Sequence, residues 1–269
     1  MRALVRGIPN SFTLALAAVV PDPPIDVSLA RDQHLAYRQA LIDLGVEVTM
    51  VDAREELPDC CFVEDTAVVA AGLALITRPG APSRRGEPEA IEAAFGKDVE
   101  IVRMRAPATL DGGDVLRLGT TFYVGRSART NLEGLAQLEE AFVPLGFKVL
   151  SVELPPNVLH LKSVCSPLGD GRVLLAEGTV PPNILGGADV VLVPAADAPA
   201  ANCVSLGRHV IVAAEFPRVC EQLHKERFIV HPVPTTEVRK ADGALTCQSI
   251  IYAPASPSQR RAIRGGSSS

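Results

Sequence analysis

The chain has 269 residues, 47% of them apolar and 4% aromatic, with no Trp and a formal net charge of −5. It can bury a substantial core, built mostly of Val, Leu, Ile and Ala. The mild acidity, and the absence of a Lys/Arg-rich block in the first 250 residues, argue against a nucleic-acid partner.

In chain order, residues 2–6 read as a short strand rather than the apolar core of a secretion signal. The apolar run 14–20 stops at Pro21 and Pro23-Pro24 and is too short to span a bilayer. These features predict a cytoplasmic protein with no membrane partner. Residues 28–44 read as a helix ended by Gly45, with Leu29, Leu35, Ala36, Ala40, Leu41 and Leu44 as its apolar face, followed by a strand at 46–51.

A unit then recurs: strand 61–69, turn 70–72, strand 73–77, helix 87–95 and strand 99–104. It returns as 114–118, a turn at Gly119, 121–124, helix 131–142 and 147–152. A third copy runs 160–166, turn 169–171, 172–176, a short helix 182–185 and 190–193. A fourth runs 202–206, a turn at Gly207, 209–213, helix 217–227 and 228–233. Strand 244–252 pairs with 2–6 and completes a fifth. Five copies closed through the two ends of the chain predict one cyclic α/β domain over residues 1–255, where length alone would suggest about two domains. Residues 256–269, ending in Gly265-Gly266-Ser267-Ser268-Ser269, read as a flexible tail. An open doubly wound sheet is the alternative, but it would follow each strand with a helix instead of a hairpin. A ring points its inner loops at a common central funnel, where functional groups gather.

Four segments carry chemistry into apolar surroundings. Asp59, Glu64 and Asp65 flank Phe62-Val63 ahead of an apolar run, where buried carboxylates need a cation or hydrogen bonds, whether a ligand or a structural arginine supplies them. In Leu110-Asp111-Gly112-Gly113-Asp114-Val115 the glycines let the backbone turn sharply and bring carboxylates to one site, although a capped Gly-Gly turn would read the same way. His160 lies in the apolar Leu159-His160-Leu161, where a core histidine is commoner than a general acid/base. Cys247 stands at the mouth of the last strand. The six cysteines form no CxxC pair or zinc-ligand spacing and read as reduced thiols, with Cys165, Cys203 and Cys220 as inert core residues. Only its company distinguishes Cys247: a thiol, an imidazole and acids delivered to one funnel make a nucleophile–base–orienter set.

Taken together, several motifs make the chain resemble the dimethylarginine dimethylaminohydrolase family of the pentein superfamily, from Arg2 to about Tyr252. They are Leu57-Pro58-Asp59 through Glu64-Asp65, the run from Ile76 through Arg84-Arg85, Leu110 through Val115, Val124-Gly125 through Arg129-Thr130-Asn131, Leu159 through Ser163, Ala201-Asn202-Cys203, and Asp242 through Cys247. The resemblance implies a five-bladed α/β propeller. It implies Cys247 as nucleophile, His160 as general acid/base and Asp111 as its orienting acid. It further implies substrate contacts from Asp59, Glu64 and Asp65, an α-carboxylate held by Arg84 and Arg129, backbone at Ala241 and Asp242 completing the pocket, and a lid over residues 11–17 bearing Leu16. Some relatives carry a second Cys after the nucleophile, where this chain has Gln248.

The implied partner is a small cationic methylated arginine, hydrolysed to citrulline and an amine without metal or organic cofactor. A docked cation would lower the thiol pKa and help generate the attacking thiolate. Arginine deiminases and amidinotransferases share the same chemical groups, and a noncatalytic pentein ring would have no use for them. Monomer and homodimer both stay open.

Overall fold

A computed structural model describes residues 1–256 and Gln259. The strands are β1 (Arg2–Arg6), β2 (Glu47–Val51), β3 (Ala67–Ala70), β4 (Leu73–Ile76), β5 (Glu100–Arg103), β6 (Val115–Leu118), β7 (Thr121–Arg126), β8 (Lys148–Glu153), β9 (Cys165–Gly169), β10 (Arg172–Ala176), β11 (Asp189–Val193), β12 (Val204–Leu206), β13 (His209–Ala213), β14 (Ile229–Val233) and β15 (Ile250–Tyr252). The helices are α1 (Val27–Asp43), α2 (Pro88–Phe95), α3 (Leu132–Phe142), α4 (Pro217–Lys225) and α5 (Thr236–Arg239).

The strands form five three-stranded sheets: β15-β1-β2, β3-β4-β5, β6-β7-β8, β9-β10-β11 and β12-β13-β14. In each sheet the first two strands are antiparallel and the middle and last are parallel. Four blades carry a helix in the parallel crossover. The β9-β10-β11 blade makes do with the 3-10 turn Pro182–Leu185, which fits the short run of helical sequence there. The fold is a five-bladed α/β propeller. Its seam is the blade in which β15, from the far end of the chain, pairs antiparallel with β1 (Leu4 opposite Ile250).

Apolar packing follows the same circle. Five clusters each draw on two neighbouring blades, so every blade packs on both sides. At the seam, Leu4, Ile250 and Tyr252 pack against Ala74, Ile76, Ile91 and Phe95 of the next blade.

Two expectations need correction. Runs 61–69, 160–166 and 244–252 are not continuous strands: 3-10 turns Val63–Thr66, Leu161–Ser163 and Thr246–Gln248 take up part of each. The same device precedes β6 (Gly112–Asp114) and β12 (Ala195–Ala201), so every blade begins with a 3-10 turn at its inner end. These turns are so short, and so close to the apolar strands that follow, that periodicity did not separate them from strand.

The second correction concerns α1. Leu29 and Leu35 are exposed, and the buried stripe is Ala30, Gln33, His34, Tyr37 and Leu41. The polar members of this stripe are tolerated because they find buried partners. Cys165 and Cys203 are buried as expected, whereas Cys220 is partly exposed. The tail at 256–269 lies, apart from Ser256 and Gln259, outside the described residues.

Replacing Leu4 by Ala removes a side chain 1% exposed from the seam cluster. Chemical denaturation should show a loss of about 2–5 kcal/mol with an unchanged m-value.

Candidate active site

The five inner turns are hydrogen-bonded to one another in a closed circle. Gly113 N donates to Asp65 Oδ1 at 2.8 Å, joining the first two turns, and Leu161 N donates to Asp114 Oδ1 at 3.1 Å, joining the second to the third. Asn202 follows the fourth turn directly; its Nδ2 donates to Lys162 O at 2.8 Å, and its Oδ1 accepts Thr246 N at 3.0 Å. Thr246 Oγ1 closes the circle by donating to Glu64 Oε2 at 2.7 Å.

On one side of this circle lies a cavity of about 230 Å³. Leu16, Asp59, Asp65, Arg84, Arg129, His160, Ala241, Asp242 and Cys247 all line it, together with Phe62, Leu159, Gly243 and the lid residues Ala17 and Ala18. Residues far apart in the chain therefore converge on one chamber. Asp111 does not line it. It stands behind His160, fully buried, with Oδ2 accepting from His160 Nε2 at 3.0 Å and Oδ1 accepting from Gly80 N at 2.9 Å.

Glu64 stands apart from the expected set. Its carboxylate pairs with Lys162 Nζ at 2.6 Å and Thr246 Oγ1 at 2.7 Å, and it lines a second cavity on another side of the turns. A 3-10 turn sends successive side chains in different directions, so Asp65 enters the chamber and Glu64 leaves it.

Asp114 likewise serves as a clamp. Its oxygens accept from Ser127 Oγ, Thr130 Oγ1 and Leu161 N, and burial pushes its carboxyl up to about 6 against those hydrogen bonds. Arg84 is buried, with Asp65 at 2.6 Å, Glu87 on its other edge and Phe62 O as acceptors. A guanidinium this deep needs such partners. One hydrogen on Nη1 remains uncommitted among the described contacts. Arg129 Nη1 lies 3.6 Å from Asp111 Oδ2.

The charges around His160 set its state. Burial alone would lower its pKa, but Asp65, the Asp111 hydrogen bond and then the charges of Asp114 and Asp111 raise it to about 9. The imidazole is therefore protonated at neutral pH. Burial raises Asp65, but His160 and Arg84 together hold it down at about 2. Burial, followed by Glu64 and Asp65, pushes the Cys247 thiol far up, so it rests un-ionised. Ligand atoms of Asp65, Asp111 and His160 lie within 4.8 Å of one another. A metal there would have to displace the imidazole proton and break the hydrogen bonds just described.

The lid is tied across the chamber by two acids. Leu16 N donates to Asp59 Oδ1 at 3.0 Å and Ala18 N to Asp242 Oδ2 at 2.5 Å. Burial raises Asp59. Sequence reasoning gave no role to Lys162, Asn202 or Thr246. The available signal was their place just ahead of the first strand of a blade, alongside the residues it did choose.

A family model described as N,N dimethylarginine dimethylhydrolase, eukaryotic, matches residues 24–182. The N(G),N(G)-dimethylarginine dimethylaminohydrolase of Streptomyces coelicolor is 39% identical over 93% of this chain and 96% of its own length; that of Pseudomonas aeruginosa is 37% identical over 84% and 90%. Among solved structures, a cysteine-to-serine mutant of the Pseudomonas aeruginosa DDAH complexed with citrulline superposes with TM-score 0.88 at 33% identity, covering 93% of this chain and 98% of that one. The N-terminal domain of ArgZ, an arginine dihydrolase from Cyanobacteria, shares the fold at TM-score 0.83 and 21% identity.

A Cβ on Gly113 would stand 2.8 Å from His160 Nδ1 and 2.9 Å from Asp65 Oδ1. Gly113→Ala must therefore push the imidazole away from its carboxylates. NMR titration should show the His160 pKa falling from about 9 toward its ordinary value of about 6.5.

Proposed function

The chain belongs to the dimethylarginine dimethylaminohydrolase family, and from that membership we propose that it hydrolyses Nω-methylated arginines to citrulline and methylamine or dimethylamine through a covalent intermediate on Cys247. The observation that carries the reading is one chamber holding a thiol, an acid-held imidazolium and a negative wall.

A guanidinium is planar, charged and a poor electrophile. Asp65 and Asp59 supply negative charge for its cation and for the substrate's ammonium group. Arg84 and Arg129 supply positive charge for the α-carboxylate. Backbone at Leu16, Ala241 and Asp242 encloses the amino-acid end. Docking the cation beside Cys247 offsets the carboxylates that hold the thiol un-ionised, and the thiol proton is released to water.

Sγ then bonds to the guanidinium carbon. His160 gives its proton to the methylated nitrogen, and the C–N bond breaks to release the amine. A thiouronium remains on sulfur. Neutral His160 takes a proton from water, whose oxygen bonds to the same carbon, and collapse of that adduct breaks the C–S bond to give citrulline. Asp111 acts through His160 as a positioning residue. Monomethyl and dimethyl substrates would react alike. On this reading the enzyme works in the cytoplasm with its six cysteines unpaired, as they are in the structure. Among the described residues no helix is long and apolar enough to cross a membrane.

Purified protein given asymmetric dimethylarginine should form citrulline, much faster than it does from arginine. Cys247→Ser should lower kcat by more than about 10³-fold. Citrulline formed equally fast from arginine, or by the Cys247→Ser protein, would refute the reading.

The raised His160 pKa gives a second test. The acid form is present below about pH 9 and is lost above it, so kcat/KM should fall on the alkaline side near pH 9. Asp111→Asn removes a carboxylate charge that raises this pKa. The alkaline limb should move to lower pH, with activity down on the order of 10²-fold.

A further inference from the structure

The turn that carries Cys247 is held from two sides, and the circle of inner turns accounts for only one of them. On the near side, Thr246 is tied into the circle through Asn202 and Glu64. On the far side stands α1. His34, 3% exposed, places Nδ1 3.0 Å from Oε1 of Gln248, which is itself 2% exposed. Gln248 Nε2 donates to Ala244 O at 3.3 Å, which makes Oε1 the acceptor and puts the imidazole proton on Nδ1. Almost one helical turn further on, Tyr37 Oη lies 2.7 Å from Ser249 Oγ, both buried. Gln248 and Ser249 are the two residues that follow Cys247.

A core histidine held for packing alone would be a poor choice here. Burial pushes its pKa down to about 4, so it is neutral and contributes no ion pair. Its Nε2 is buried and has no hydrogen-bond partner among the described residues. An aliphatic side chain would fill the space without that unsatisfied atom. What the imidazole adds is a single directed donor, aimed at the residue next to the nucleophile. The turn itself is only three residues long and is closed by Gln248 N to Leu245 O at 3.2 Å and Ser249 N to Thr246 O at 3.2 Å. With so few internal bonds, its flanking side chains decide where the sulfur points.

We propose that His34 is a positioning residue for Cys247: its Nδ1–H···Oε1 bond to Gln248, backed by the Tyr37–Ser249 hydroxyl pair, fixes the turn so that Sγ faces the reacting carbon. The proposal rests on Cys247 being the nucleophile and extends that reading to α1, outside the chamber.

Asparagine places its amide nitrogen where an imidazole has Nδ1, and glutamine places its own where the imidazole has Nε2. The test is therefore a comparison of His34→Asn with His34→Gln, alongside Gln248→Met, which keeps the side-chain length and removes the acceptor. His34→Gln should lower kcat about 10- to 100-fold with KM within about twofold, because a misaimed nucleophile is lost in the transition state and not in binding. His34→Asn should stay within about threefold of the parent. Gln248→Met, which also loses the Nε2 bond to Ala244 O, should fall at least as far as His34→Gln, and adding His34→Gln to it should lower kcat no further, as two ends of one bond require. Iodoacetamide labelling of the Cys247 peptide, read by mass spectrometry, should slow in step with kcat.

Equal kcat in His34→Asn and His34→Gln would overturn the proposal, as would a Gln248→Met protein with the parent's rate. If His34→Gln fails to fold, the Gln248→Met arm decides. Failure of the parent to form citrulline would sink the proposed function instead, and the Cys247 labelling rates across the series would still report on positioning.

Discussion

Five short turns bonded to one another around the centre of the ring are the constraint on which the site depends. Each turn belongs to a different blade, and each blade is held to its neighbours by apolar packing from both sides. The packing brings the turns together, and the hydrogen bonds through Asp65, Asp114, Asn202, Thr246 and Glu64 fix how they meet. These groups are buried, so a broken link would leave an unsatisfied polar atom, at a cost of about 1–3 kcal/mol. That cost makes the circle rigid, and it holds a thiol, an imidazole and a carboxylate from three separate blades against one chamber.

Electrostatics follow from the same geometry. Crowding Asp65, Asp111 and Asp114 around one imidazole keeps it protonated to about pH 9, and burial, reinforced by the neighbouring carboxylates, keeps the thiol un-ionised. The chamber thus pairs a protonated imidazole with an un-ionised thiol. On the proposed function, a planar cation docked there would favour the thiolate and leave the imidazolium proton for the departing amine. The segment above the chamber is held by acids too, since Asp59 and Asp242 accept from the backbone N–H groups of Leu16 and Ala18.

Much of this was legible in the sequence. The hairpin–helix–strand repeat stood out because tight turns such as those at Gly119 and Gly207 separate paired strand-like runs in the same order, and closure through residues 2–6 followed from counting the pieces. The groups proposed to react were legible only as a set, because no single motif separates Cys247 from five other cysteines. What the sequence concealed has one physical cause: a 3-10 turn of three or four residues is too short to display its period. Glu64 and Asp65, adjacent in the chain, therefore looked alike, although one faces the chamber and the other a lysine behind it. α1 misled in a related way. Its exposed Leu29 and Leu35 drew the apolar face to the wrong side, because Gln33, His34 and Tyr37 are buried by hydrogen bonding, which a hydrophobicity pattern does not register.

The convergence of distant blades on one carbon is tested most directly by trapping the intermediate. Protein turning over asymmetric dimethylarginine can be quenched in acid within its first turnovers, digested and read by mass spectrometry. The adduct should sit on the peptide containing Cys247 and on none of the peptides containing Cys60, Cys61, Cys165, Cys203 or Cys220. An adduct on another cysteine, or turnover with no covalent species on Cys247 at any quench time, would contradict the account.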